Sequence, residues 1–202
     1  MQLSIPIEIY QNILLLTDFI TQIRMRQINK IFYEKLEIHD FFNIPDKYLF
    51  MLSDNILINY PFIKQLYAYA NKDIKIINYM KKLVKLNAGD NCGINNEEIA
   101  KINVIELNVY NNPKITNVNH MTRLQILYAG SNCGINDAGI KYINLHKLHA
   151  GNNPNITNVN HMTKLEDLTA YGYCGVNDAG IQDLNLKQLY IFGNQKISLR
   201  IN

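Results

Sequence analysis

Residues Asn111–Thr122 read NNPKITNVNHMT, and 41 residues further on Asn152–Thr163 read NNPNITNVNHMT. The same interval separates NCGIN at Asn91–Asn95, NCGIN at Asn132–Asn136 and YCGVN at Tyr173–Asn177. Self-similarity at a fixed period marks a stacked repeat architecture. Each 41-residue block divides again. Cuts before Ile63, Leu83, Val104, Leu124, Leu145, Leu165 and Leu186 give spacings of 20, 21, 20, 21, 20 and 21. Seven units result, the last breaking off at Asn202.

The units align column by column. Position one is Ile, Leu or Val, and position four is Leu in every unit, from Leu66 to Leu189. Position six is small or branched (Ala68, Ala88, Val109, Ala129, Ala150, Ala170, Ile191), and position twelve is Ile or Val from Ile74 to Ile197. Position nine is Asn71, Asn91, Asn112, Asn132, Asn153, Tyr173 and Asn194. Positions four and six alternate with polar neighbours, which predicts a strand with one face turned inward. The Asn at nine falls where the strand turns away, so its amide is expected to bond backbone groups of its own and adjacent coils. One such coil buries too little to fold alone, so stacking must supply the rest. The units cut before Val104 and Leu145 carry Pro113 and Pro154 and are expected to return in extended form. INDAGIKYI and VNDAGIQDL in the alternate units predict one or two helical turns opened by an Asn or Asp cap.

This L-x-x-L-x-A-x-x-N pattern resembles the leucine-rich repeat, and the C-G-I-N-D-A-G-I half is similar to its cysteine-containing subtype. That resemblance implies an α+β solenoid over residues 63–202, with a parallel β-sheet on its concave face. The N-terminal IPIEIYQNILLLTDFITQIRMRQINKIFYEKL at Ile5–Leu36 resembles an F-box. Ile5-Pro6-x-Glu8 stands at the Leu-Pro-x-Glu start, Ile13-Leu14 at the Ile-Leu pair, and Ile28-Asn29-Lys30-x-Phe32 at the closing motif. Thr17 departs from a common Leu, and Asp18-Phe19 replaces Asp-Pro. The division expected is a helical motif at 1–36, a junction or N-terminal cap at 37–62 in which a degraded repeat is possible, and the solenoid. Pro6 suits a helix start. Ile9, Ile13, Leu14 and Leu16 then form one apolar helical face, and Ile20, Ile23, Ile28 and Ile31 a second. So small a unit leaves apolar surface that must meet a partner or cap the solenoid.

The resemblance implies a function. F-box proteins dock on the Skp-family adaptor of SCF-type cullin–RING ubiquitin ligases, while their repeats present a substrate protein. Adaptor contacts carry over to Ile5, Pro6, Glu8, Ile13, Leu14, Ile28 and Phe32. The rival is a repeat scaffold with no ubiquitin connection. The composition and the Asn-rich repeats also resemble F-box/leucine-rich-repeat proteins of giant amoebal viruses, which would make the adaptor a host protein.

Positions three, five and seven are expected on the concave sheet. They hold 6 of the chain's 13 tyrosines. Tyr favours strands and also suits recognition surfaces. On either account the expected partner face comprises Tyr67, Tyr69, Tyr110, Tyr128, His149, Tyr171, Tyr190 and Phe192.

Other classes are disfavoured. Net charge is +3, too mild to argue for nucleic acid or a membrane surface. Lys72, Lys75, Lys81, Lys82 and Lys85 read as a solvated face. No apolar run is long enough to span a bilayer, and Glu8 and Asp18 interrupt the start, which has no basic leader. NIT at Asn155–Thr157 is read as coincidence in an Asn-rich chain. Three cysteines, an odd number, fit a reducing interior, so cytoplasm or nucleus is the expected compartment. Cys92, Cys133 and Cys174 recur two coils apart, about 10 Å, too far for a disulfide or a shared metal. His39, His120, His146, His149 and His161 form no zinc spacing with them. No catalytic constellation, metal site or cofactor is expected. KISLRIN closes the sequence without a polar cap, so the last coil is expected to be exposed or covered by something else.

Overall fold

The computed structural model describes residues 5–198. Leu199–Asn202, the end of KISLRIN, lie outside them.

Eight short strands form a single parallel sheet in strict chain order: β1 (Asp40–Phe41), β2 (Gln65–Tyr67), β3 (Lys85–Asn87), β4 (Glu106–Asn108), β5 (Ile126–Tyr128), β6 (Lys147–His149), β7 (Asp167–Thr169) and β8 (Gln188–Tyr190). From β2 onward each strand occupies positions three to five of its unit. Leu66, Leu86, Leu107, Leu127, Leu148, Leu168 and Leu189 stand opposite one another in register. The arrangement is solenoid-like. The position-four leucines are buried except Leu189, on the last strand, which is only half-buried.

β1 lies inside the 37–62 segment and pairs Phe41 with Leu66. The stack therefore starts one coil ahead of Ile63, and this coil is a degraded repeat. Ile38 and Phe41 take the places of the position-one and position-four residues, and both are buried. Its return carries two single helical turns, α4 (Asp46–Leu49) and α5 (Asp54–Leu57).

The two kinds of unit differ at the turn after the strand. The units of β2, β4, β6 and β8 are the odd coils. In them the position-six carbonyl is satisfied locally: Ala68, Val109, Ala150 and Ile191 accept from the backbone N–H of position nine at 2.9–3.1 Å. In the even coils of β3, β5 and β7 that carbonyl is served from the next coil. Asn112 Nδ2 donates to Ala88 O (2.8 Å) and Ile94 O (3.3 Å). Asn153 Nδ2 donates to Ala129 O (2.8 Å) and Ile135 O (3.0 Å), and Asn194 repeats the pattern on Ala170 and Val176. Each of these Asn Oδ1 atoms accepts a backbone N–H two residues on, from Lys114, Asn155 or Lys196. Asn71 does the same work against Leu49 and Leu52 of the first coil. Position nine thus divides. Asn71, Asn112, Asn153 and Asn194 are buried, whereas Asn91, Asn132 and Tyr173 are exposed and the neighbouring Cys92, Cys133 and Cys174 fill the turn.

The return segments follow the capping chemistry. Asn95 and Asn136 cap α6 (Asn96–Ile99) and α7 (Asp137–Ile140), and Asn177 caps a 3₁₀ turn at Asp178–Gly180. The next residue then reaches forward: Asn96 Oδ1 and Asp137 Oδ1 each accept the backbone N–H groups of two residues in the following odd coil. His120 and His161 reach back to the carbonyls of Ile99 and Ile140. The abundant asparagines are therefore coil-to-coil ties.

Three helices precede the sheet: α1 (Ile7–Leu15), α2 (Phe19–Gln27) and α3 (Lys30–Lys35). Asp18 caps α2 through bonds from the backbone of Ile20 and Thr21, and Asn29 caps α3 through Phe32 N. Asp18 is thus the N-cap that opens α2.

Two substitutions test this account. Asn153→Ala should lower unfolding free energy by about 3 kcal/mol, because two buried carbonyls lose their donor. Gly134→Ala should cost about 1–3 kcal/mol, since a Cβ there would sit 2.4 Å from the Pro113 carbonyl oxygen. Urea denaturation of each variant measures both.

Candidate functional site

The recurring cysteines come first, because spacing singled them out. All three are buried free thiols. Cys92 Sγ donates to Ala88 O, the same carbonyl that Asn112 serves from the next coil. Burial pushes Cys92 and Cys133 up to about 11, and Cys174 upward as well. A thiol so shielded has almost no thiolate at neutral pH and is a poor nucleophile. Among the described residues no group of His, Cys, Asp or Glu is arranged to hold a metal ion, and no helix is long and apolar enough to cross a membrane.

The outward face of the sheet is built differently. Strand residues at positions three and five project from it. Its charges pair with one another across adjacent strands: Lys85 with Glu106 at 3.1 Å and Lys147 with Asp167. Asn87 and Asn108 spend their side-chain oxygens on the N–H groups of Gly89 and Tyr110. Beside Gln65, Ile126, Thr169 and Gln188, what remains on this face is aromatic. Phe42, Tyr67 and Tyr69 form one group, with ring centroids 5.4 and 5.9 Å apart. Tyr110, Tyr128, His149, Tyr171 and Tyr190 form a second, linked at 5.5–6.2 Å through His149 and Tyr171.

These rings lie down rather than stand in solvent. Gly89, Gly130 and Gly151 at position seven make room for the rings of Tyr69, His149 and Tyr171, which pass directly over them. A Cβ on Gly151 would meet Tyr171 at 2.3 Å. Burial raises the Tyr69 and Tyr171 hydroxyls, with Asp90 and the Tyr110 hydroxyl respectively adding to it. Burial also lowers His149, opposed by the ring's attraction to its own backbone carbonyl; Lys147 lowers it further and Asp167 raises it. The ring is therefore neutral at pH 7. Among the described residues its buried Nδ1 has no hydrogen-bond partner. Tyr190 and Phe192, at the last strand, are the open end of the row, at 57% and 79% exposure. Tyr67, Tyr69, Tyr110, Tyr128, His149, Tyr171 and Tyr190 of the expected residues lie in these two ring groups, and Phe192 lies exposed two residues past β8. Phe42 was missed. Its signal was the Ile38-x-x-Phe41 echo of the position-one and position-four pair, hidden by a 25-residue interval to Leu66.

The N-terminal helices present a second surface. α1 is anchored by Leu14, fully buried, with Ile7 and Tyr10 beside it. Gln11 clamps it to the chain entering β1, donating to Glu37 O (3.0 Å) and accepting from Glu37 N (2.7 Å). Phe19 stacks edge-on against Phe41, and Tyr10 against Phe32. Arg26 lies over the rings of Tyr33 and Tyr60. The opposite side of α1 carries Ile9, Ile13 and Leu16, all exposed, Leu16 at 88%. Ile28 and Ile31 are also exposed, as are Ile5, Pro6 and Glu8. So Ile5, Pro6, Glu8, Ile13 and Ile28 are accessible and Phe32 is half-buried. Leu14 belongs to the core, not to the exposed face, because α1 turns it toward the first coil. The single helical face read from Ile9, Ile13, Leu14 and Leu16 is thus two faces.

No protein-family model matches the chain, and no curated protein matches it.

The thiol burial has a direct consequence. Iodoacetamide at pH 8 should leave Cys92, Cys133 and Cys174 essentially unmodified in the folded protein and label all three in guanidinium, as mass spectrometry of the intact chain reads.

Proposed function

We propose that this chain is an F-box/leucine-rich-repeat protein, the substrate-recognition subunit of an SCF-type cullin–RING ubiquitin ligase. The N-terminal helices dock on a Skp-family adaptor, and the concave face of the repeats holds a target protein. The subunit performs no chemistry itself. It raises the effective concentration of the target near a ubiquitin-charged enzyme carried by another subunit. This reading places the protein inside a cell, in a host cell if the virus resemblance holds.

One observation carries the proposal. The segment that resembles an F-box leaves Ile9, Ile13 and Leu16 exposed along one side of α1 while Ile7, Tyr10 and Leu14 hold its other side in the core. A helix this apolar on its outer side suits a partner that desolvates it. The segment is also tied to the stack, through Gln11 and Phe19, so adaptor and target would be held at a fixed separation.

A plain repeat scaffold is the second reading, and the burial of Leu14 favours it. Helices that plug the first coil perform the capping every solenoid needs.

Affinity capture with a Skp-family adaptor separates the two. Ile13→Asp and Leu16→Asp should each weaken adaptor binding by more than about tenfold. Both sites are exposed, so stability should change by less than about 0.5 kcal/mol. An intact chain that binds no Skp-family adaptor overturns the ligase reading.

A further inference from the structure

The last coil breaks a pattern that the coils before it keep. From β2 to β7 each position-two carbonyl, Lys64 O through Glu166 O, accepts two backbone N–H groups of the next coil. The N–H groups of position six, Ala68 to Ala170, and of position eight, Ala70 to Gly172, donate to that next coil in turn. In the coil of β8 the equivalent groups are Lys187 O, Ile191 N–H and Gly193 N–H. None of them has a partner among the described residues. Gln188 N–H and Tyr190 O are bonded toward β7, so Leu189 between them turns its N–H and C=O toward the open edge. The core is open there as well, with Leu186, Leu189 and Ile191 only half-buried.

The opposite end of the stack is closed. Leu14 and Phe19 pack there on the first coil, and Gln11 takes both backbone groups of Glu37. A second copy therefore cannot lay its first coil on this last one, and head-to-tail growth is blocked. The end of a second copy that carries the same open columns and free strand groups is its own last coil. Such a contact joins like to like about a twofold axis.

The free groups fit that operation. With the axis at Leu189, antiparallel pairing sets this residue opposite its copy, and the two exchange N–H···O bonds in both directions. Lys187 then stands opposite Ile191 of the second copy, where Ile191 N–H meets Lys187 O, both free. The remaining members of that pair are already satisfied within each chain, Lys187 N–H on Glu166 O and Ile191 O by Asn194 N–H. The bonds gained are those the edge lacks, and no group is used twice. An axis normal to the sheet keeps both core faces on one side, so Leu189 and Ile191 of the two copies close one core. Charge agrees. The segment entering β8 carries Asp183 and the segment leaving it carries Lys196, both exposed, and antiparallel pairing brings the entering segment of one copy beside the leaving segment of the other.

We propose that the chain self-associates through the edge of β8 into a twofold dimer, the two sheets joined antiparallel at Leu189. The N-terminal helices then lie at the two far ends, so this association is independent of whether they bind an adaptor. The paired strands are short, and the dimer is expected to be weak, with a Kd on the order of 10 µM.

Sedimentation velocity of the full chain from about 1 to about 200 µM tests it. Monomer should give way to dimer with rising concentration, and to nothing larger. Leu189→Pro removes the N–H at the axis, a change that edge strands tolerate, and should weaken association by about tenfold or more. Disulfide trapping reads the register. Opposed residues of a hydrogen-bonded antiparallel pair have Cα atoms about 5.5 Å apart, within reach of a disulfide. Leu189→Cys should therefore give a covalent dimer under mild oxidation, whereas Gln188→Cys, opposite Tyr190 of the second copy, should not. Circular dichroism checks the fold of each variant, and the trapping pair decides if Leu189→Pro does not fold. A chain that stays monomeric at the highest concentration, assembly beyond the dimer, or trapping through Gln188→Cys in place of Leu189→Cys each overturns the proposal. Ile13→Asp should leave self-association unchanged, which separates this result from the adaptor reading.

Discussion

The carbonyl at the end of each even strand takes an amide donor from the coil that follows it. Ala88, Ala129 and Ala170 obtain it from the amide of an asparagine one coil ahead. An unpaired carbonyl in this core would cost about as much as a lost hydrogen bond. Much else follows from satisfying it. The asparagine must be buried, so the odd coil turns tightly, closing its own position-six carbonyl with the position-nine N–H. The even coil, relieved of that duty, fills its turn with a cysteine. Two coil types then alternate, and the shared hydrophobic core runs uninterrupted from Leu14 and Phe41 to Ile197.

Much of this was legible in the letters. The leucine columns give the strand register because a parallel stack places equivalent residues opposite one another, as Leu66 through Leu189 do. The Asn-Asp and Asn-Asn pairs of the even units announce their helical turns because a cap must precede the first N–H groups. What was hidden had physical causes. The column at position nine mixed two backbone geometries, so Asn91 and Asn112 looked equivalent although only one is buried. The first coil was masked by Phe41 in a leucine position and by its longer return through α4 and α5. The outer side of α1 could not be chosen from periodicity, since Ile7, Ile9, Tyr10, Ile13, Leu14 and Leu16 make the helix apolar nearly all round. The residues of the outward sheet face could be placed by column, but not their posture: that the rings recline over glycines depends on contacts between coils.

The chain thus keeps its two kinds of apolar surface apart. The core is built from small and branched side chains repeated to a rule. The surfaces left over, on α1 and on the outward sheet face, break the rule: isoleucine and leucine outward on a helix, aromatic rings on a strand. Polar ties hold the return side, where His120, His161 and the Asn96 and Asp137 bridges link coils to their neighbours.

The alternation of asparagine and cysteine turns also sets how such a chain can change length. Removing one coil would bring two like coils together. An even coil stacked on an even coil would have no amide to meet its Ala carbonyl, and an odd coil on an odd coil would bury an amide with its acceptor already taken. Removing or duplicating 41 residues preserves every tie. The structural period of this architecture is the pair, so only a change by an even number of coils keeps the pattern of ties intact.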